Sequence, residues 1–372
     1  MVSKGDLAGG ITKRRAPQGG RRRAALAACL MACIAPGGMI SGAGQAEAAD
    51  PTVTVFNNVL SAKKYRDIPG ASVQIAAEPG QRFVLHASRF SLTLDQRLPS
   101  GKNLGTTTGL FCPSADGPRP NGTHYGTNFA PGVNDRITPV VRWVFQAPHR
   151  SGTRTYTCRV AVAFYTGPSL VGRYDARVTS PTASVRLHAE DAYAGMEQWV
   201  LPPSADPRQN VWGVVRRGAT ATVLEHRIEP ASSRTRIAVR QDAQLTMCKP
   251  QSSYETCRGL GSAAYSDVSS RVEAQPLYMG GGICGTPLRG PVSSVRISTH
   301  EHHRTMPNGL EVNKAALPRG CERLLLSLKV RVRGGSAVLV HGGSASAGPV
   351  STAYSHGYAY EYSPTDPVPG DR

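Results

Sequence analysis

The chain has 372 residues, of which only 18% are charged, with 40 Gly, 28 Pro and a formal charge of +18. Its length allows two ordinary domains, and turn formers spread among Ser, Thr and Val favour short strands over helices. Beyond the N-terminal region no run of 18 apolar residues exists, which excludes a transmembrane helix from the mature chain.

The first 48 residues read as a targeting segment. Lys13, Arg14, Arg15 and Arg21, Arg22 and Arg23 precede an apolar run at 24–34, and Ala46-Glu47-Ala48 supplies the small-x-small pattern of a signal peptidase site. The expectation is cleavage near Ala48 and secretion. A lipid anchor at Cys33, after Leu30-Met31-Ala32, is the alternative. The segment holds seven Lys/Arg and two Asp/Glu; removing them from the totals of 43 and 25 leaves a mature chain near +13. Such a charge favours anionic partners outside a cell, although it also serves plain colloidal stability.

Downstream, apolar segments at 52–59 and 71–76 lead into 82–94, a strand or hairpin arm with Val84, Phe90, Leu92 and Leu94 on one parity. Residues 100–133 read as a long irregular loop containing Cys112, the kind of loop that is normally tied down or functional. Residues 139–145 form a strand with Val141, Trp143 and Phe145 facing one way. Next comes TYTCRVAVAFY at 155–165, in which Tyr156, Cys158, Val160, Val162 and Phe164 mark one buried face and Arg159, Ala161 and Ala163 a thinner or wetter one. One or two short strands at 174–188 follow. Residues 192–218, with Pro202-Pro203, Asp206-Pro207, Trp199 and Trp212, are placed as the domain boundary.

In the second half, 221–228 and 235–247 are strands, 251–261 is a loop with Cys257, and Gly280-Gly281-Gly282 turns just before Cys284. A strand at 292–299, a loop at 300–316 and the strand CERLLLSLKVRV at 321–332 come next. That last strand echoes 155–165 and suggests a duplicated plan. The tail at 353–362 alternates Tyr354, His356, Tyr358, Tyr360 and Tyr362 as a final strand with an aromatic face, and 363–372 is a frayed end.

This pattern predicts an all-β chain of two tandem β-sandwich domains, immunoglobulin-like or jelly-roll-like, over 49–198 and 199–362. Six cysteines remain after the targeting segment, an even number that reads as disulfides in an exported chain. Fifteen pairings are possible. The repeat suggests Cys112–Cys158 with its counterpart Cys248–Cys321, leaving Cys257–Cys284. The parity of Cys321, off that of Leu324, Leu326, Leu328 and Val330, argues against an exact repeat.

Few residues carry a chemical signature. His300-Glu301-His302-His303 could place His300 and His302 on one side of an extended chain, but it lacks the H-E-x-x-H helical spacing and reads as a solvated loop. Ser262, Ser344 and Ser346 lack a nucleophile elbow. Asp95, Glu190, Asp191, Glu225 and Glu229 show no diagnostic pairing for glycoside hydrolysis. No cofactor and no metal site is implied.

Arg323, Lys329, Arg331 and Arg333 share the outward parity of the echo strand, and Arg236 and Arg240 share a parity on 235–247. If those strands are neighbours, one sheet face carries a positive stripe suited to phosphate or sulfate. Tyr354, Tyr358 and Tyr360 could stack on sugars or bases, or simply cover a sheet.

At Tyr156-Thr157-Cys158 and Arg319-Gly320-Cys321, and in its Arg, Ala and Gly usage, the chain resembles exported actinobacterial proteins of unknown function. The resemblance covers the second half best and brings no catalytic residues. The expected function is that of a secreted, non-catalytic binding protein for an anionic wall polymer, a glycan or another exported protein, with nucleic acid disfavoured. A lectin-like module is the alternative, and a secreted hydrolase the third reading.

Overall fold

The computed structural model describes residues 52–57, 65–112, 122–125, 128–130, 135–149, 151–165, 170, 172–181, 184–191, 196–201, 211–231, 233–252, 254–342 and 355–364. Residues 1–48, read above as a targeting segment, with Cys33, and Tyr354 and most of the C-terminal tail lie outside them.

In chain order the strands are β1 (Thr52–Asn57), β2 (Arg66–Ala77), β3 (Arg82–Ala87), β4 (Ser91–Leu94), β5 (Gly105–Phe111), β6 (Gly122–Tyr125), β7 (Arg136–Ile137), β8 (Arg142–Gln146), β9 (Arg154–Tyr165), β10 (Gly172–Thr179) and β11 (Leu187–Asp191). They continue as β12 (Glu197–Val200), β13 (Val211–Val215), β14 (Thr220–Ile228), β15 (Arg236–Met247), β16 (Tyr265–Leu277), β17 (Leu288–Arg289), β18 (Ser293–Ser298), β19 (His303–Asn313), β20 (Arg323–Gly335), β21 (Val338–His341) and β22 (His356–Tyr362). No α-helix occurs among the described residues, and none of their helical segments is long and apolar enough to cross a membrane.

The architecture is all-β, two β-sandwiches in tandem stapled by disulfides. In the first, sheets ordered β1-β10-β4-β7, β2-β9-β5-β6 and β11-β3-β8 enclose one core, in which Leu85, Leu92, Leu110, Phe145, Val160 and Val178 meet. In the second, β12-β22-β15-β21-β13, with β19 beside β15, faces β14-β20-β16-β17, with β18 beside β16. Their core gathers Ile237, Val239, Leu245, Val272, Leu326 and Val330.

Alternation explains most of this and fails where a strand is covered on both faces. In β9, Tyr156, Cys158 and Val160 are buried while Thr155, Thr157 and Arg159 are exposed, but Ala161 and Ala163 are buried too. The wet face expected there is covered. Ala161 lies across from Gly109, and the rings of Tyr65 and Phe111 close over that glycine so tightly that a Cβ would meet them at 3.0 and 2.8 Å.

Three segments read as loops or linker contain strands. Residues 100–133 hold β5, buried along its whole length between β9 and β6; its Thr-Thr-Thr-Gly run lacks apolar alternation, yet β-branched Thr suits a strand. Residues 300–316 hold β19, which pairs with β15 over its full length. Pro307 is tolerated inside it because β19 is an edge strand, where a missing N–H costs no ladder bond. The proposed linker at 192–218 supplies β12 and β13, and Trp199 is buried with its ring 4.4 Å from that of His226.

All six cysteines among the described residues are bonded, and Cys112 is tied to Cys158 as the repeat suggested. The other two pairings are corrected: Cys248 joins Cys257, and Cys284 joins Cys321. Cys321 precedes β20 rather than lying in it, beside the turn that follows β16, so it reaches Cys284 locally. Cys248 directly follows β15 and closes a nine-residue span to Cys257. The disulfides therefore do not repeat between the halves.

The sandwiches meet through a buried seam. Val84 and Val144, on the outward side of β3 and β8, pack with Ala238, Tyr358, Tyr360 and Tyr362. Across the same seam Arg142 forms a two-pronged ion pair with Asp242, with Nε to Oδ2 at 3.0 Å, and donates to the Asn308 carbonyl at 3.0 Å. Burial is the largest influence and opposes the Arg142 charge, but the Asp242 carboxylate and Tyr358 together outweigh it and hold the guanidinium above its ordinary range.

Candidate anion-binding face

Strand β20 creates the site by strict alternation. Leu324, Leu326, Leu328, Val330 and Val332 point into the second core and are buried, which forces Arg323, Lys329, Arg331 and Arg333 to the outer face. Register then places neighbours beside them: Lys329 lies between Thr222 of β14 and Arg271 of β16, and Arg331 between Thr220 and Ser269. Arg289 of β17 stands across from Glu273. Arg271, Glu273, Arg289, Lys329 and Arg331, with smaller neighbours that include Thr220 and Ser269, line an open depression of about 450 Å³.

The charges there are unbalanced. Arg271 pairs with Glu273 at 2.6 Å and Arg289 approaches the same carboxylate oxygen at 3.4 Å. Lys329 donates to the Thr222 hydroxyl. Neither Lys329 nor Arg331 has a carboxylate partner among the described residues. Four cations thus line the depression with one carboxylate, which itself serves two of them.

The remaining basic residues divide. Arg333 is exposed farther along the same face, where a hydrogen bond from Arg296, with Arg333 nearby, holds the Asp267 carboxyl below its usual range. Arg323 is committed to structure, pairing with Glu229 at 2.6 Å and donating to the Met279 carbonyl at 2.7 Å. Arg236 and Arg240 do not extend the stripe, because β15 belongs to the opposing sheet. Arg240 is buried and paired with Glu311 at 2.6 Å. Arg271 and Arg289 were missed in the sequence. Buried Ser266, Ser269 and Ser270 blur the apolar alternation of β16, and β17 is only two residues long.

The tyrosine face of the tail is corrected from a ligand platform to a seam. Tyr358, Tyr360 and Tyr362 are 3%, 1% and 4% exposed, because the first sandwich lies on them. Desolvation, with the hydrogen bond to Glu311, pushes the Tyr362 phenol up to about 12. Tyr354 is outside the described residues.

The histidine run is a solvated loop only in part: His300 is exposed in a bend before β19. His303 is buried at the start of β19, its Nδ1 2.6 Å from the Thr246 hydroxyl, which also meets His341 Nε2 at 2.7 Å. His302 Nδ1 lies 3.1 Å from Asn128 Nδ2 of the first sandwich. Burial, reinforced by Lys249, drives the His302 pKa down to about 3. Among the described residues no three His, Cys, Asp or Glu side chains converge as metal ligands. Asp95 pairs with Arg177 and Glu229 with Arg323, and Ser344 and Ser346 are outside the described residues.

No protein-family model matches the chain, and no curated protein does. Among solved structures, the T13 particle of infectious bursal disease virus aligns at 11% identity and a TM-score of 0.25, covering 85% of this chain and 74% of that one. The STIV MCP aligns at 10% identity and a TM-score of 0.24, covering 78% and 96%. A CBM22 tandem domain from Paenibacillus barcinonensis aligns at 8% identity and a TM-score of 0.22, covering 84% and 91%. Superpositions this loose bear on neither ligand nor activity.

Proposed function

We propose that the chain is an exported, non-catalytic binding protein that takes an anionic polymer, such as a wall polymer, on the outer face of the β14-β20-β16 sheet. The half at 199–362 is then the binding domain, and the half at 49–198 its support. The depression lined by Arg271, Arg289, Lys329 and Arg331 carries the reading, since only Glu273 opposes those charges there. Lys329 and Arg331 keep their charges available because no carboxylate among the described residues answers them. Arg in such a place favours phosphate, whose oxygens match its fork of donors. Three disulfides support an oxidising compartment. A stacking glycan or base has less support, since the tyrosines that would hold it are buried.

Binding of long-chain inorganic polyphosphate between about 50 and about 200 mM salt tests this. The expected result is affinity that falls steeply with salt. The paired substitution Lys329→Glu with Arg331→Glu should weaken binding at least tenfold and flatten the salt slope by about two, as two contacts are lost. Undiminished binding by that variant, or no binding at the lowest salt, would overturn the proposal.

A further inference from the structure

A second depression, of about 570 Å³, lies where the two sandwiches meet, lined by Arg142, Arg240, Arg289, Asn308 and Glu311 among others. It shares Arg289 with the outer-face depression. Resting on the reading above, we propose that the two form one continuous groove for a linear phosphate polymer, which runs from Arg331 over the edge of the sheet and ends at the seam.

Three observations carry this. First, the shared side chain is well placed: Arg289 is 58% exposed and only loosely held at 3.4 Å by Glu273. Second, the charge continues. Six cations, Arg331, Lys329, Arg271, Arg289, Arg240 and Arg142, line the joined surface with two carboxylates, Glu273 and Glu311, while Asp242 neutralises Arg142 from behind. The field is strongest at the outer end and fades toward the seam, where Arg240 and Arg142 are already paired with Glu311 and Asp242. Third, the crossing between the depressions is kept low. Gly290 packs on β19 so closely that a Cβ would stand 2.3 Å from the Gly309 carbonyl oxygen, and Gly290 and Pro291 present no long side chain there.

Geometry sets the length. From Arg331 to Arg289 the path crosses two strand spacings and descends four residues, about 17 Å; the seam lies beyond. A single phosphate reaches only one end. A chain of several phosphates engages Arg331 and Arg289 together, and a longer one also reaches the seam. No exposed aromatic ring lines either depression, so the polymer is recognised by the spacing of its charges rather than by stacking.

The test measures binding of the folded protein to polyphosphates of about five and about twenty-five units at one salt concentration, with each affinity divided by the number of registers available. The expected result is at least tenfold tighter binding per register for the longer chain. Arg289→Glu should abolish most of that advantage and change short-chain affinity less, whereas Lys329→Glu should weaken both chains alike. Unchanged thermal unfolding of the variants would show that they fold. Equal per-register affinity for the two lengths, or an Arg289→Glu variant that keeps the advantage, would overturn the groove while leaving the outer-face site standing. A sulfated oligosaccharide of matched charge that binds more tightly than the phosphate chain would overturn the assignment to phosphate. Absence of binding to every chain would remove the outer-face reading and the groove with it.

Discussion

Asp242→Asn is the sharpest probe of how the two sandwiches are held. Asp242 is 1% exposed, and its two carboxylate oxygens meet Nε and Nη2 of Arg142, reached from the other sandwich. The amide keeps the shape but removes the charge that keeps a buried guanidinium in place. Arg142 keeps neutral acceptors such as the Asn308 carbonyl, and His356 Nε2, 3.7 Å from Asp242, cannot replace an anion. Breaking one partner of such a buried pair costs about 3–5 kcal/mol, because the surviving charge stays desolvated. Urea unfolding followed by fluorescence should show a loss of that size in the variant. Replacing both partners, as Arg142→Met with Asp242→Leu, should cost less than either single change, because no buried charge is then stranded. The reasoning fails if Asp242→Asn costs under about 1 kcal/mol, or if the double variant loses the sum of the two single losses.

Three further outcomes are expected. Tyr360→Ala should destabilise the fold by about 3–5 kcal/mol, as removal of a large buried aromatic does, and calorimetry that finds no loss would return the tyrosine face to solvent. Stability should fall as the pH drops from about 6.5 toward 3, since neutral His302 in the fold has its pKa lowered to about 3 by burial, so the unfolded chain binds the proton first; His302→Gln should flatten that slope in urea titrations at stepped pH. Loop entropy assigns about 4 kcal/mol to each of Cys112–Cys158 and Cys284–Cys321 and about 2.7 kcal/mol to the shorter Cys248–Cys257. Paired Cys→Ala variants should follow that order, and non-reducing peptide mapping should recover these three pairs.

The basic outer face was legible because a strand's period is two. Once Leu324, Leu326, Leu328, Val330 and Val332 are inward, Lys329 and Arg331 can only be outward, whatever the rest of the chain does. Their partners were not legible, because register is set by pairings between strands distant in sequence. Arg271 reaches Lys329 across 58 positions, and nothing local in either strand announces it. The same distance effect left open whether Arg236 and Arg240 adjoin the stripe, and they do not, since their strand belongs to the opposite sheet.

By itself the sequence determined the class of object: alternation, turn residues and an even cysteine count specify a disulfide-stapled all-β chain, for these are properties of short windows. Only the tertiary structure decided which faces meet water. Tyr358, Tyr360 and Tyr362 form as regular an aromatic face as sequence can show, and the packing of Val84 and Val144 against it turns that face into a seam. Burial of a strand's second face depends on what a separate sheet places over it, and that free energy lies in contacts between sheets rather than in the pattern of either strand.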